Sequence, residues 1–174
     1  LLAAVQADVK KDVDRDVHAW LRFLWEVYKT ILDLLKNNAR LEDCYHLTAR
    51  KAFDFCCENQ RQHEFKRLSE TLRNHSANQN KAAYHENHVS MNNPETVQRM
   101  MDTRFKQLDV SMKCGMWREA HMTIDDIYSL MQKRRPKPQM LSQYYQGLGR
   151  IFWKGNNSIF HAQALMKYFT LCNG

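Results

Sequence analysis

Glycine and proline are scarce in this sequence, and the first 93 of its 174 residues contain neither. The whole chain has five glycines and three prolines. The glycine-rich loops that hold phosphates and dinucleotides are therefore missing. In the first half, breaks between helices must fall at clusters of Asn and Gln, such as Asn37-Asn38 and Asn59-Gln60, whose side chains compete for backbone hydrogen bonds.

Cysteine pairs at metal-binding spacing are also missing. The five cysteines are Cys44, Cys56, Cys57, Cys114 and Cys172. Their number is odd, no two are separated by two residues, and adjacent Cys56 and Cys57 cannot easily serve two separate bridges. We expect reduced thiols that pack as small hydrophobic groups in a cytoplasmic protein.

No apolar run is long enough for a membrane span. The stretch from Leu1 to Val5 is interrupted by Asp8 and Lys10, so it is neither a signal sequence nor a span. The sequence has no initiator Met and starts inside this apolar stretch, and we therefore expect it to be a fragment. A repeat array without end caps exposes apolar surface, which predicts poor solubility for the fragment alone.

The composition is that of a globular protein, with 44% hydrophobic and 26% charged residues. A chain of this length buries roughly 70% of its unfolded surface as one domain, and we expect a single domain over residues 1–174. The formal charge of +7 at pH 7 favours a polyanionic partner, either RNA or an acidic protein.

Apolar residues recur at helical spacing throughout the chain. The clearest stripe comprises Val17, Trp20, Leu21, Leu24, Tyr28, Ile31 and Leu35. Similar stripes predict six more helices, the first of them carrying Tyr45, Ala49, Ala52, Phe53 and Cys56. Residues 1–13 are the possible end of a preceding helix, and residues 82–92 are predicted to be a loop. Asn93-Pro94-Glu95 predicts a helix start, and Gly115 predicts a helix end.

The spacing of two turns points to a repeat. Turns at Gly115 and Gly155 are 40 residues apart, a period typical of tetratricopeptide or HEAT helix pairs. We therefore predict an all-α fold of stacked antiparallel helix pairs forming a right-handed solenoid. Gly147 and Gly149 inside one helix each cost about 1 kcal/mol relative to Ala, which predicts close helix packing there.

Catalytic motifs are weak. His85 and His88 are three residues apart in a predicted loop, whereas a zinc-binding helix needs two His four residues apart. A helical metal-dependent hydrolase, which would need these two His residues to share a metal, is the alternative from another class. The paired carboxylates Glu42-Asp43 and Asp125-Asp126 are expected on exposed faces or at helix starts. We predict no enzyme activity and no cofactor.

Basic clusters are the better functional candidates. They comprise Arg61, Lys66, Arg67, Arg73 and Lys81 in one group and Lys133, Arg134, Arg135 and Lys137 in another. Such residues contact phosphates without reading sequence. The alternative, that these charges only solvate helix faces and bind nothing, is an equally good interpretation of the sequence. The tryptophans at positions 20, 25, 117 and 153 are expected to be core anchors rather than base-stacking platforms.

Ordered segments from about residue 18 onwards resemble a known family. They include Trp20-Leu21-Arg22-Phe23-Leu24-Trp25, Lys51-Ala52-Phe53-Asp54-Phe55-Cys56, Asn93-Pro94-Glu95 and Ile151-Phe152-Trp153-Lys154. These segments look like successive parts of the a-type subunits of eukaryotic translation initiation factor three. The resemblance implies a helical-repeat arm that precedes the winged helix of a PCI domain, with the winged helix absent from this chain.

The same resemblance implies partners. They are the c-type subunit of the factor, its other subunits, the small ribosomal subunit through rRNA and ribosomal proteins, and mRNA as a further candidate, with no membrane and a cytoplasmic location. It implies a non-catalytic scaffold. The alternative within scaffolds is the corresponding arm of another PCI complex, such as the proteasome lid or the signalosome.

Overall fold

The computed structural model describes residues 2–79, 89–133 and 136–173. These residues form seven α-helices and no strand, which confirms the all-α prediction. The helices are α1 (Leu2–Leu35), α2 (Glu42–Glu58), α3 (Gln62–Gln79), α4 (Pro94–Lys113), α5 (Trp117–Lys133), α6 (Pro138–Lys154) and α7 (Ser158–Cys172). A short 3-10 turn, Ala39–Leu41, precedes α2. In the described part of the chain no helix combines the length and apolarity that crossing a membrane requires.

The helices end where the sequence predicts. Asn37, Gln60 and Asn156 follow helix ends and adopt left-handed backbone conformations, with φ of 67°, 55° and 55°. Gly115 does the same with φ of 69°. The Asn93 side chain accepts a hydrogen bond from the backbone N–H of Glu95 at 3.0 Å and so caps α4. Of the predicted 82–92 loop, residues 82–88 lie outside the described residues, and 89–92 are not helical.

The first helix is longer than predicted. Residues 2–13, expected as the end of a separate preceding helix, continue without a break into the amphipathic segment, so that α1 runs from Leu2 to Leu35. The reason is that this stretch contains no Gly, Pro or Asn that would stop a helix.

Helices α2, α4 and α6 form a row, and the odd-numbered helices pack beside it. Within the row α4 packs extensively on α2 and touches α6 over a small area. Helices α1 and α3 pack on α2, α5 packs on α4 and α6, and α7 packs on α6. Each helix therefore packs against a helix next to it along the row or in sequence, as expected for stacked antiparallel pairs.

Two hydrophobic clusters of the core lie around α2 and around α5. Around α2, Phe53 and Phe65 are fully buried with ring centroids 4.8 Å apart. Around α5, Ile124 and Ile127 pack against Leu108 of α4. A Cβ atom on Gly147 would lie 2.9 Å from Leu108 Cδ2, which confirms the predicted close approach of α6 to α4.

The second glycine of α6 makes ordinary contacts. A Cβ atom on Gly149 would lie 3.6 Å from Leu165 Cδ2 of α7. The close-packing prediction is therefore confirmed at Gly147, whereas at Gly149 helix α7 lies at ordinary contact distance and leaves room for a methyl group.

Two predictions about side chains fail in part. Trp25 is 4% exposed, but Trp20 and Trp153 are 66% and 65% exposed and are not core anchors. Cys57 and Cys114 form a disulfide that joins α2 to the end of α4, so they are not free thiols. Cys56 is buried as expected, and burial raises the pKa of its thiol to about 12.

Candidate nucleic-acid interface

The first basic cluster is divided between solvent and the interior. On α3, Lys66 and Arg67 are exposed. Arg61 precedes the helix and forms an ion pair with Glu64. Only Lys66 and Arg67 therefore keep fully solvated charges in the described part of this cluster.

Arg73 belongs to an internal ion network. Its Nε donates to Asp126 Oδ2 of α5 at 2.9 Å, and its Nη2 lies 3.5 Å from Glu119 Oε2. The Arg73 side chain is 21% exposed. Much of its charge is thus compensated within the fold, and the residue joins α3 to α5 while one edge remains accessible.

Arg104 of α4 was missed by sequence reasoning. It is 6% exposed, its Nη1 donates to Gln107 Oε1 at 2.8 Å, and the same nitrogen lies 3.7 Å from Asp126 Oδ2. Burial lowers the pKa of the guanidinium; Asp126 opposes this effect, and Arg73 adds to it. The sequence does contain one signal for the burial of Arg104. It lies four residues after Met100 and four before Leu108, which places all three on the buried side of α4.

Three helices enclose a groove around these arginines. Helix α3 contributes Arg73, Ser76 and Ala77, α4 contributes Met100 and Arg104, and α5 contributes Asp126, Ser129, Leu130 and Lys133. We call this site the arginine groove; its volume is about 260 Å³. Counted from the first lining residue of each helix, the others follow after three, four or seven residues, which places each set on one face of its helix. One residue from each predicted basic cluster, Arg73 and Lys133, therefore meets in one site.

Of the other residues in the second basic cluster, only Lys137 is described by the structure. Lys137 is exposed and lines another groove, of about 420 Å³, between the start of α4 and α6. That groove has an apolar floor formed by Val97, Met101 and Met140. Lys81, Arg134 and Arg135, like His85 and His88, lie outside the described residues.

A second polar network fixes α2 to α4. Glu42 is 5% exposed and accepts hydrogen bonds from Thr96 Oγ1 at 3.0 Å and Arg99 Nη1 at 3.4 Å. Arg99 also pairs with exposed Asp43. The expectation that the Glu42-Asp43 pair lies at a helix start or on an exposed face is confirmed by its position at the start of α2. Glu42 is nevertheless buried, because α4 covers the start of α2.

The histidines connect helices. His46 lies 2.9 Å from Thr103 Oγ1, His75 Nδ1 lies 3.0 Å from Tyr45 Oη, and His161 Nδ1 lies 2.8 Å from the Gly149 carbonyl oxygen. Among the residues that the structure describes, no group of three or more His, Cys, Asp and Glu side chains could hold a metal ion. These histidines have positions suited to structure rather than to metal binding.

The described surface is suited to binding anions. Lys66, Arg67, Lys133 and Lys137 present ammonium or guanidinium groups to solvent. The arginine groove adds partly desolvated cations and the Ser76 hydroxyl. Both features are those of a surface that contacts phosphates.

The fold and this surface define a class. Paired helices stacked around a central row, with cations on the outside and in a groove, form a tetratricopeptide-like helical-repeat region that presents binding surfaces. Residues 1–174 match the family described as eIF3a, PCI domain, TPR-like region. The chain therefore belongs to this family of translation initiation factor subunits. The match favours the initiation factor over the proteasome lid or the signalosome.

Individual relatives agree with the family match. The chain is 46% identical to the A-type subunit of eukaryotic translation initiation factor 3 from Chaetomium globosum and 44% identical to the protein of the same name from Mycosarcoma maydis, in each case over 98% of this chain. It is 45% identical to the Aspergillus niger protein of that name, again over 98% of this chain. The chain spans only 16–17% of the length of these curated relatives.

Proposed function

We propose that this chain is a non-catalytic scaffold segment of initiation factor three that binds other subunits of the factor, the c-type subunit included, together with the small ribosomal subunit in the cytoplasm. The main support for the proposal is the family match over all 174 residues. The helical stack with exposed cations on its surface agrees with that match. Residues 1–174 act in it as one helical-repeat domain of a longer polypeptide.

The charges support an RNA-containing partner. Lys66, Arg67, Lys133 and Lys137 are exposed, and none forms an ion pair with another described residue. Their positive charges are therefore available to phosphates, and the formal charge of +7 favours association with rRNA. Contacts of this kind bring affinity without sequence preference.

The test uses the full-length polypeptide that contains this chain. The variant replaces four cations by Gln together, namely Lys133, Arg134, Arg135 and Lys137. Its binding to purified small ribosomal subunits is measured at salt concentrations from about 50 to 200 mM, because phosphate contacts weaken strongly over this range. We expect weaker binding and a shallower salt dependence, by about 0.7–0.9 in the slope of log K against log salt for each phosphate contact that the substitutions remove.

A matched variant controls for total charge. Arg22, Lys51, Arg118 and Arg150 are exposed cations on α1, α2, α5 and α6, and replacing these four by Gln removes the same number of charges elsewhere. Equal weakening in both variants would indicate only a general charge effect. Unchanged binding of the first variant would remove the second basic cluster from the proposed function.

The partner within the factor is tested separately. The full-length polypeptide is tagged and used to recover proteins from cell extract, and we expect initiation factor subunits, including the c-type subunit. Recovery of proteasome lid or signalosome proteins in their place would contradict the proposed complex.

A further inference from the structure

The arginine groove contains more positive charge than the fold compensates. Its lining includes Arg73, Arg104 and Lys133, against a single lining carboxylate, Asp126. Glu119 lies on the other side of Arg73, 3.5 Å from its Nη2. Even with Glu119 counted, one positive charge remains uncompensated among these residues.

Both arginines approach the same carboxylate oxygen. Asp126 Oδ2 is 2.9 Å from Arg73 Nε and 3.7 Å from Arg104 Nη1. One oxygen cannot satisfy two guanidinium groups, each of which has five N–H donors. Arg73 Nη2 is buried beside Glu119 Oε2, so on the groove side Arg73 and Arg104 share Asp126 alone. An anion in the groove would give these partly desolvated cations a further acceptor.

The groove also has a neutral donor and an open side. Ser76 and Ser129 line it; Ser129 Oγ donates to the Asp125 carbonyl oxygen at 3.0 Å, whereas Ser76 donates to no other described residue. Lys133 is exposed at its rim. A volume of about 260 Å³ admits a phosphate group with part of an attached sugar.

A second cationic position lies on α3. Lys66 is exposed and precedes Arg73 by seven residues, with exposed Glu70 between them, which places it two helical turns, or about 10.5 Å along the axis, from Arg73 on the same side of the helix. Two separated cationic positions suit a ligand with repeated negative charges. A single phosphorylated side chain would need the groove alone.

We propose that the arginine groove binds a backbone phosphate of an RNA strand, with Arg73, Arg104 and Lys133 as its cationic contacts and Lys66 on a neighbouring phosphate. This inference rests on the proposed function and specifies where this chain holds RNA. The recognised chemistry is the phosphodiester, so the groove does not select a base sequence.

The experiment compares variants of the full-length polypeptide. Binding of a fluorescein-labelled twelve-residue oligouridine is measured by anisotropy for Lys133→Gln, which removes an exposed cation, and Ser76→Asp, which places a carboxylate in the groove. Lys133→Gln should reduce the slope of log K against log salt by about 0.7 and weaken binding about fourfold at 0.15 M salt, as expected when one single-strand phosphate is no longer neutralised. Ser76→Asp should weaken binding at least as much.

The matched control is Lys51→Gln, which removes an exposed cation of α2 outside the groove. It should leave both the Kd and the salt slope unchanged. Urea unfolding confirms that each variant is folded, and Lys133→Gln serves as the decisive variant if Ser76→Asp unfolds.

Two outcomes overturn the inference. One is an unchanged Kd and slope for Lys133→Gln. The other is Lys133-dependent binding of a phosphoserine peptide without any change in oligouridine binding, which would assign the groove to a phosphoprotein. Binding of the same variants to small ribosomal subunits is measured in parallel, so that failure of the proposed function is seen separately from failure of the groove assignment.

Discussion

Helix α4 lies in the middle of the stack and helix α7 lies beside its last member, and the two differ in which side chains they bury. Half of the buried residues of α4 are polar or charged, namely Thr96, Thr103, Arg104, Gln107 and Ser111. In α7, by contrast, Ile159, Met166 and Phe169 are 75%, 70% and 67% exposed. Ala164 is the one buried residue of that helix.

The difference shows that packing neighbours, rather than polarity alone, decide burial in a helical stack. Helix α4 has α2, α5 and α6 as partners, whereas α7 packs mainly on α6. The covered polar groups of α4 are tolerated because they have partners: Gln107 donates to Ser69 Oγ at 3.0 Å and accepts from Arg104. Substitutions at matched positions in the two regions test this contrast.

Truncating an aromatic side chain should cost far more in the centre than on α7. Phe53 of α2 is fully buried, so Phe53→Ala should lower the free energy of unfolding by about 3–5 kcal/mol. Phe169→Ala removes a largely exposed ring and should change it by less than about 0.5 kcal/mol. Urea unfolding of both variants measures the difference, and similar losses would show that α7 is packed as tightly as α2.

Reducing the disulfide should loosen the centre. Cys57 and Cys114 are 57 residues apart in sequence, and closing such a loop stabilises a fold by about 2–4 kcal/mol. We expect dithiothreitol to lower the urea midpoint of the native chain by a corresponding amount. The double variant Cys57→Ala, Cys114→Ala should be insensitive to dithiothreitol, and a native chain equally insensitive would refute the bond.

Removing the buried carboxylate of α2 should have a smaller effect. Glu42→Ala leaves the Thr96 hydroxyl and one edge of Arg99 without an acceptor, at a cost of about 1–3 kcal/mol. Its neighbour provides the control, since Asp43 is 76% exposed and its pairing with Arg99 contributes less than about 1 kcal/mol. Equal costs for Glu42→Ala and Asp43→Ala, measured by urea unfolding, would mean that burial of Glu42 is unimportant.

The two glycines of α6 compare the centre and the α7 side within one helix. Gly147→Ala places Cβ 2.9 Å from Leu108 of α4, and the overpacking should exceed the gain in helix propensity, for a net loss of about 1 kcal/mol. Gly149→Ala faces α7 at ordinary contact distance and should gain about 1 kcal/mol. Thermal unfolding should therefore shift in opposite directions, and shifts of the same sign would contradict the contrast.

Local sequence predicted much of the fold because its signals act over a few residues. The Asn93 cap, the Gly115 turn and the Asn37 break were all identifiable, since each depends on the backbone preferences of adjacent residues. The stripe of α2, including Ala49 and Phe53, also predicted its buried side. The exposure of Trp20 and Trp153 was not predictable in this way, because helical spacing does not say whether a neighbour covers a face.

The residues of the arginine groove were also only partly predictable from the sequence. Arg73 and Lys133 were identified as members of separate clusters, 60 residues apart in sequence. Arg104 was not identified, and its pairing with Asp126 could not be, because helical periodicity relates residues of one helix and carries no information on which helices meet.

By itself the sequence determined where most helices begin and end, which side of most helices is apolar, and that the chain carries excess positive charge. Only the tertiary structure decided that Arg73 is turned inward to Asp126, that Glu42 is buried under α4, and that Cys57 meets Cys114. The physical reason is range: backbone propensities and helical spacing act within a few residues, whereas burial, ion pairing and disulfide geometry depend on surfaces that come together only when the helices stack.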